Sequence, residues 1–351
     1  MRRSLRLTDP ALINFASNNY LNLADNPEVI ARAQDALKAW GAGSSSSRLL
    51  SGHTPVHAAL EEALAQWLAQ ESALVFPAGY MANIGVITAL VGATDAIVMD
   101  RLCHASLIDA ARLSGARLLV YRHADAADAE RVLKRAQSHR RRLLVTESLF
   151  SMDGDRAPLA ELKILAQTYG AMTVVDEAHA LGVLGSQGRG LSEGWDVVLG
   201  TLSKSLGSQG GFAAGSRSLM DYLINKARPF IFTTGLAPVC AAAALASLQI
   251  VRRDVQPGEV LQKRAQRLRE RVARQGWNVL QSQSQIIPVH VGDAEKALAL
   301  SGRLRESGFF APAIRPPAVH AQECRLRLSV TLEHTEEQLD HLAKVLGDGH
   351  E

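Results

Sequence analysis

Cysteine is scarce in this chain of 351 residues. Cys103, Cys240 and Cys324 are its only three, widely separated and without a CxxC spacing. A disulfide framework or zinc site is therefore not expected, no metal is called for, and a reducing cytoplasm fits. Charge of one sign is also lacking. The formal net charge of +3 is too small to argue for a nucleic-acid partner. The densest basic run, Arg140-Arg-Arg142, precedes the apolar stretch Leu143-Leu-Val-Thr146 and reads as a solvated helix-to-strand corner. Long hydrophobic runs are missing too, and nothing approaches the roughly 18 unbroken apolar residues of a membrane span. Met1-Arg-Arg-Ser-Leu-Arg6 is followed by no stretch apolar enough for a signal peptide. A soluble cytoplasmic protein with no membrane partner is expected.

What the chain does have is 47% hydrophobic residues in short, regularly spaced runs. They are Ala73-Leu-Val-Phe76, Ala96-Ile-Val-Met99, Arg117 to Tyr121, Leu143 to Thr146, Thr173 to Asp176, Val197 to Gly200 and Gly211 to Ala214. Several show no alternation, as expected of strands buried on both faces. Amphipathic stretches such as Leu107 to Leu113, Asp128 to Gln137 and Leu159 to Tyr169 separate them. The pattern predicts an α/β fold: a three-layer α/β/α large domain around a mostly parallel seven-stranded sheet.

After a charged helical stretch at 258–275 the rhythm changes. Strand-like Ile286 to His290, a helix near Ala294 to Ser307, Phe309 to Ile314, Leu326 to Val330 and a last helix near Thr335 to Leu346 suggest a smaller C-terminal α+β domain. The expected boundaries are an N-terminal segment 1–30, a large domain 31–250 and a small domain 251–351. Gly41 to Ser47 reads as a loop whose small residues allow close backbone approach.

Parallel sheets gather ligands at the carboxyl ends of their strands, and the chemistry-bearing residues fall there. Asp176-Glu-Ala-His179 matches the motor motif of a helicase class, but the chain has no Gly-x-x-x-x-Gly-Lys-Ser/Thr loop, so nucleotide hydrolysis is not expected. Gly185 to Gly190 does not have dinucleotide spacing. A cofactor site explains more residues together. Asp176 is suited to keep a pyridinium nitrogen protonated, and His179 to hydrogen-bond a ring oxygen. Lys204, among Thr201, Ser203, Ser205 and glycines, is suited to form an imine with an aldehyde cofactor and then to act as a base. The backbone N–H groups at Gly79-Tyr80, opening a helix after a strand, are candidate phosphate ligands with the hydroxyls. His104, at another strand end, is placed to lie flat over the ring.

Segments running from about Asn14 to the last helix carry a resemblance. They include Phe15-Ala-Ser-Asn-Asn-Tyr-Leu21, Ser47-Arg-Leu-Leu-Ser-Gly52, Asp100-Arg-Leu-Cys-His-Ala-Ser106, Thr146 to Gly154, Asp176-Glu-Ala-His179, Thr201-Leu-Ser-Lys204 and Ala313-Ile-Arg-Pro-Pro317. Together they resemble the α-oxoamine synthases, fold-type I enzymes of pyridoxal 5′-phosphate. The resemblance implies that Lys204 is the Schiff-base lysine, that Asp176 faces the pyridine nitrogen and His179 the 3-oxygen, and that His104 stacks on the ring. It implies that Gly79, Tyr80 and Thr201 hold the phosphate, with Thr233 or Thr234 of a neighbouring subunit, and that Glu147 and Ser151 line the ring. Asn18 and Arg315 would bind the amino-acid carboxylate.

The implied reaction is a decarboxylative condensation of L-alanine with an acyl-CoA or acyl-carrier-protein thioester in a homodimer with shared active sites. Condensation of glycine or serine, or an inactive scaffold of the same fold, are the alternatives. A short amino terminus and Ala318, where many relatives have Thr, set this chain apart at the acyl-donor contacts.

Overall fold

Alternate residues of the central strands serve opposite layers, which explains the lack of polar alternation in the sequence. Ile97, Met99, Leu143 and Val145 join one buried cluster, with Phe76, Val86, Leu107 and Phe230. Their neighbours Ala96, Val98 and Leu144 join another, with Val132, Leu133, Phe150 and Leu162. Each fully buried Val, Leu or Ile contributes about 1.5–3 kcal/mol, so a polar residue on either face would be costly.

The structure, a computed structural model, describes residues 11–348. The expectation for Met1 to Arg6 lies outside the described residues. In chain order the strands are β1 (Ile13–Asn14), β2 (Ser72–Phe76), β3 (Ala96–Asp100), β4 (Arg117–Tyr121), β5 (Arg142–Glu147), β6 (Met172–Asp176), β7 (Val197–Thr201), β8 (Gly211–Gly215), β9 (Ile286–Gly292), β10 (Phe309–Phe310), β11 (Ala313–Ile314) and β12 (Cys324–Ser329). The helices are α1 (Pro27–Trp40), α2 (Pro55–Leu68), α3 (Gly79–Leu90), α4 (Ala105–Ser114), α5 (Ala126–Ala136), α6 (Leu159–Thr168), α7 (Arg217–Lys226), α8 (Arg228–Ile231), α9 (Pro238–Arg253), α10 (Gln256–Arg274), α11 (Ala294–Glu306) and α12 (Glu336–Gly347).

The chain forms two compact units. One comprises Leu21–Phe150 and Arg156–Gly258; the other comprises Ser151–Asp155, the described residues up to Tyr20 and those from Glu259 onward. The larger unit holds a seven-stranded sheet of order β2-β8-β7-β6-β5-β3-β4. Only β8 runs against its neighbours, antiparallel to both β2 and β7. The carboxyl ends of β2, β3, β5, β6 and β7 therefore share an edge with the first residue of β8. Local signals start the helices. Asn26 caps α1 ahead of Pro27, accepting from Glu28 N, and Ser216 caps α7. Strand β7 and helix α3 differ: β7 leads into the lysine-bearing loop, and α3 begins after Ala78, which has no capping side chain.

The smaller unit contains a three-stranded antiparallel sheet, β11-β12-β9, and a parallel pair, β1-β10. The apolar run Phe309 to Ile314 is not one strand. It splits at Pro312, whose missing N–H cannot continue a ladder, and its halves β10 and β11 belong to different sheets.

Candidate active site

Three acidic strand ends meet at the carboxyl edge of the larger unit's sheet. Asp176 ends β6, Glu147 ends β5, and the two lie opposite one another in the parallel register. Asp100 ends β3. Asp176 is buried, and both of its oxygens are held. Oδ1 accepts from Ala178 N at 2.9 Å and Oδ2 from Asn83 Nδ2 at 2.9 Å. This fixes a buried carboxylate as an oriented acceptor, the requirement for keeping a cationic ring nitrogen protonated. His179, also buried, lies in the turn that follows.

Glu147 is nearly inaccessible, and its Oε1 accepts the backbone N–H of His104 at 2.5 Å. Burial pushes its carboxyl well above the usual range, and the Asp176 charge adds to this, while Lys204 opposes it. Of two facing carboxyl groups, one is thus disposed to remain protonated.

His104 is the N-cap of α4, an exposed residue whose imidazole is partly shielded from solvent. The charges of Asp176 and Lys204 both act on it, and burial of the imidazole lowers its pKa. Lys204 follows β7, in which Leu199 lies opposite Asp176 of the neighbouring β6. Lys204 itself sits in the loop between β7 and β8, whose ends Thr201 and Gly211 are paired.

A second feature lies beside that loop. Thr201 Oγ1 is 2.7 Å from Ser203 Oγ and accepts from Ser203 N at 3.2 Å. A Cβ placed on Gly79 would lie 3.4 Å from Thr201 Oγ1, so this hydroxyl pair borders the start of α3. The helix end is uncapped, and its free N–H groups and dipole make it suited to an anion. Gly211 is required for the approach: a Cβ there would meet Gly79 Cα at 2.4 Å. Tyr80 contributes here only through its backbone, because its hydroxyl donates to Asp109 Oδ2 at 2.5 Å. Ser205 is not part of this group; it is buried against Gly182, whose φ of +80° and missing side chain make room for it.

Thr233 and Thr234 follow α8 in a segment tied down by Gly235 N donating to Ser46 O at 2.9 Å and Ser44 Oγ donating to Leu236 O at 2.6 Å. The remaining expected residues lie in the smaller unit. Asn18 Oδ1 accepts from Tyr20 Oη at 3.0 Å and from both Nη1 and Nη2 of Arg327 at 3.2 Å. Arg327 Nε donates to Ser151 O at 2.5 Å. With its oxygen occupied, Asn18 keeps its amide N–H groups for a ligand. Arg315, half-buried after β11, has no side-chain hydrogen-bond or ion-pair partner among the described residues.

The sequence reading missed three residues. Asn83 and Ser106 connect Asp176 to His104, and buried Arg327 orients Asn18. Arg327 carried no distinct signal, because β12 alternates arginine with leucine and reads as a strand with one solvated face; Asn83 carried none beyond being polar in a mostly apolar helix.

In the larger unit the donor set is an oriented carboxylate, a lysine, a partly shielded imidazole and an uncapped helix start with two hydroxyls. It fits pyridoxal 5′-phosphate, which needs an anion at its ring nitrogen, an amine for its aldehyde and N–H donors for its phosphate.

Comparison with known proteins agrees. The family described as "Aminotransferase class I and II" matches residues 10–346. The 8-amino-7-oxononanoate synthase of Alkalilimnicola ehrlichii is 46% identical over 346 residues, covering 96% of this chain and 88% of that protein. Among solved structures, the serine palmitoyltransferase of Sphingomonas wittichii superposes with a TM-score of 0.93 at 35% identity, covering 96% of this chain and 87% of its own. An 8-amino-7-oxononanoate synthase from Francisella tularensis gives a TM-score of 0.82 at 26% identity, covering 97% and 98%. The expected fold and cofactor class hold, and the chain belongs to the class I and II aminotransferase family of pyridoxal 5′-phosphate enzymes, in its α-oxoamine synthase branch.

Proposed function

We propose that this protein is an 8-amino-7-oxononanoate synthase, condensing L-alanine with a pimeloyl thioester of CoA or acyl carrier protein and releasing CO₂, a step of biotin synthesis. The reading is supported by Asp176 and Lys204 at the carboxyl ends of the neighbouring strands β6 and β7, beside an uncapped helix start, in a chain 46% identical to such a synthase over nearly its whole length. The serine palmitoyltransferase of Sphingomonas wittichii shares the fold closely but, at 35%, less of the sequence than the Alkalilimnicola ehrlichii synthase at 46%. This favours alanine over serine as the amino acid.

Bound pyridoxal 5′-phosphate supplies an electron sink for a carbanion at the amino acid's Cα. The chain's residues do the rest. Asp176, held at both oxygens, would keep the proton on the ring nitrogen, and His179 would hydrogen-bond the 3-oxygen. Lys204 Nζ would hold the cofactor's aldehyde, and its amine is the base that would take the Cα proton. The first N–H groups of α3 (Gly79, Tyr80) and the Thr201 hydroxyl hold the phosphate. His104 would cover the ring and offer its edge as a donor to the thioester carbonyl oxygen. Glu147 supports His104 through its backbone N–H. In the smaller unit, Arg315 offers a planar two-donor fork and Asn18 its free amide hydrogens to the amino-acid carboxylate.

We further propose a cytoplasmic homodimer. Leu50 and Phe232 are 80% and 69% exposed on the two segments that Gly235 and Ser46 tie together, and a partner copy would cover them. Thr233 and Thr234 lie in the same stretch and would reach the partner's phosphate. Among the described residues no helix is long and apolar enough to cross a membrane, and the three cysteines are free.

Turnover of L-alanine, glycine and L-serine against pimeloyl, acetyl and palmitoyl thioesters tests the assignment. Highest kcat/KM is expected for L-alanine with the pimeloyl donor. A preference for glycine with acetyl-CoA, or serine with palmitoyl-CoA, would replace it.

A further inference from the structure

Asn83 lies in α3 and is 3% exposed. Its side-chain nitrogen donates two hydrogen bonds, one to Ser106 Oγ at 2.8 Å and one to Asp176 Oδ2 at 2.9 Å. The orientation of the amide follows from these neighbours, because a carboxylate can only accept and so must face the NH₂ end. Ser106, itself buried, receives Asn83's hydrogen on its oxygen. Its own hydroxyl hydrogen is then free for its other neighbour, His104 Nδ1, at 2.8 Å. The backbone N–H of Ser106 points at the same ring nitrogen from 3.3 Å. A ring nitrogen that receives both an O–H and an N–H holds no proton, so the imidazole proton is on Nε2.

We infer that Asn83 and Ser106 are positioning residues that link Asp176 to His104, locking His104 as the neutral Nε2–H tautomer. This rests on the proposed function, in which the Nε2–H edge of His104 is the donor to the thioester carbonyl. An imidazolium would present a hydrogen at Nδ1. It would then face Ser106 N–H, and the Ser106 hydroxyl hydrogen would lose its acceptor. The same Asn83 amide pins Asp176 Oδ2, so the groups placed on the ring nitrogen and over the ring are oriented by one side chain. Burial of the imidazole works in the same direction, lowering its proton affinity. The charged groups facing His104 are Asp176 and Asp109, which favour protonation, and Lys204, which opposes it. Glu147 accepts the backbone N–H of His104.

The test is ring-¹⁵N histidine NMR on the cofactor-loaded protein, with His104→Gln used to assign the signal. In wild type, His104 is expected with Nδ1 unprotonated and Nε2 protonated at neutral pH. Ser106→Ala and Asn83→Leu should each raise its titration midpoint by about one unit, a roughly tenfold gain in proton affinity. Ser106→Thr, which keeps the hydroxyl, should restore wild-type behaviour. Unchanged His104 shifts and midpoint in both variants, with only a loss of thermal stability, would reduce the pair to ordinary packing and overturn the inference. A wild-type signal protonated on Nδ1 would do the same. If Asn83→Leu does not fold, the Ser106 pair carries the comparison alone.

Borohydride fixation of the cofactor to Lys204, run on the same samples, separates the two ideas. Wild type that fixes no cofactor contradicts the proposed function, and the tautomer is then read on the cofactor-free protein. Fixation with an unaltered His104 in the variants contradicts only the link.

Discussion

Replacing Gly211 with alanine should damage the cofactor site from outside it. The added Cβ would lie 2.4 Å from Gly79 Cα, 2.5 Å from Gly79 N and 2.7 Å from Ala78 C. All three are backbone atoms, so no side chain can turn away. Ordinary carbon–carbon contact needs about 3.5–4.0 Å, so the start of α3 must retreat by about 1 Å. Strand β8 cannot give instead, because it is paired on both sides, with β2 and with β7. Overpacking of this kind costs about 1–3 kcal/mol, and the rigid partners argue for the upper end. The same retreat displaces the N–H groups proposed to hold the phosphate, so cofactor affinity should fall as well. Gly79→Ala is the control: its Cβ would meet Thr201 Cβ and Oγ1 at 3.4 Å, an ordinary contact. Its effect on stability should stay within about 1 kcal/mol. Urea unfolding of the cofactor-free variants and a pyridoxal 5′-phosphate titration read both effects. A Gly211→Ala protein that unfolds at the wild-type midpoint with an unchanged slope would refute the reasoning.

Three further outcomes are expected. His57 and His334 each accept a backbone N–H on Nδ1, at 3.2 and 3.0 Å, and burial holds the pKa of each down to about 4. Unfolded histidine takes up its proton near 6.5, so the stability each contributes is present above that pH and lost as pH falls toward 4. The loss is about 1.5 kcal/mol per histidine between pH 6.5 and pH 5; a urea midpoint that stays constant over that range contradicts it. Glu147 has the opposite sign: its folded pKa is raised, so its contribution is present below about 4.5 and fades as pH rises. Glu147→Gln should therefore gain stability relative to wild type on going from pH 4 to pH 7 in the cofactor-free protein, and parallel pH profiles would rule that out. Arg315→Ala should raise KM for the amino acid by about ten- to a hundredfold, as expected for a charge-assisted bond of about 1.5–3 kcal/mol; a defect seen only in the thioester KM would reassign the residue.

Much of this was legible in the chain because buried parallel strands advertise themselves. All seven apolar runs are strands of the central sheet; Asp176 ends one of them, as expected, while β5 and β7 each run one residue further than expected, to Glu147 and Thr201. Strand direction was not legible. Nothing in Gly211-Phe-Ala-Ala214 distinguishes antiparallel β8 from its parallel neighbours, since its residues are buried on both faces either way. Asn83 and Ser106 were invisible for a different reason. Their importance comes from which atom they touch, 93 and 2 positions away in sequence for Asp176 and His104 respectively, and hydrogen-bond direction leaves no trace in composition or periodicity. The break at Pro312 could have been read from the proline alone.

The reversal at β8 also determines how Lys204 can move. A lysine at the end of a parallel strand would sit on a crossover leading away through a helix. Here residues 202–210 return at once to the adjacent strand, anchored where Thr201 pairs with Gly211. Within the loop, Leu202 N donates to Gly210 O at 3.0 Å, Ser208 N to Leu202 O at 2.9 Å and Gly207 N to Lys204 O at 2.9 Å. The lysine is a swinging arm on a fixed pivot: its reach is the length of its own side chain. Lengthening this hairpin by even one residue would move the pivot, whereas the same insertion in the loop after α1 would leave it in place.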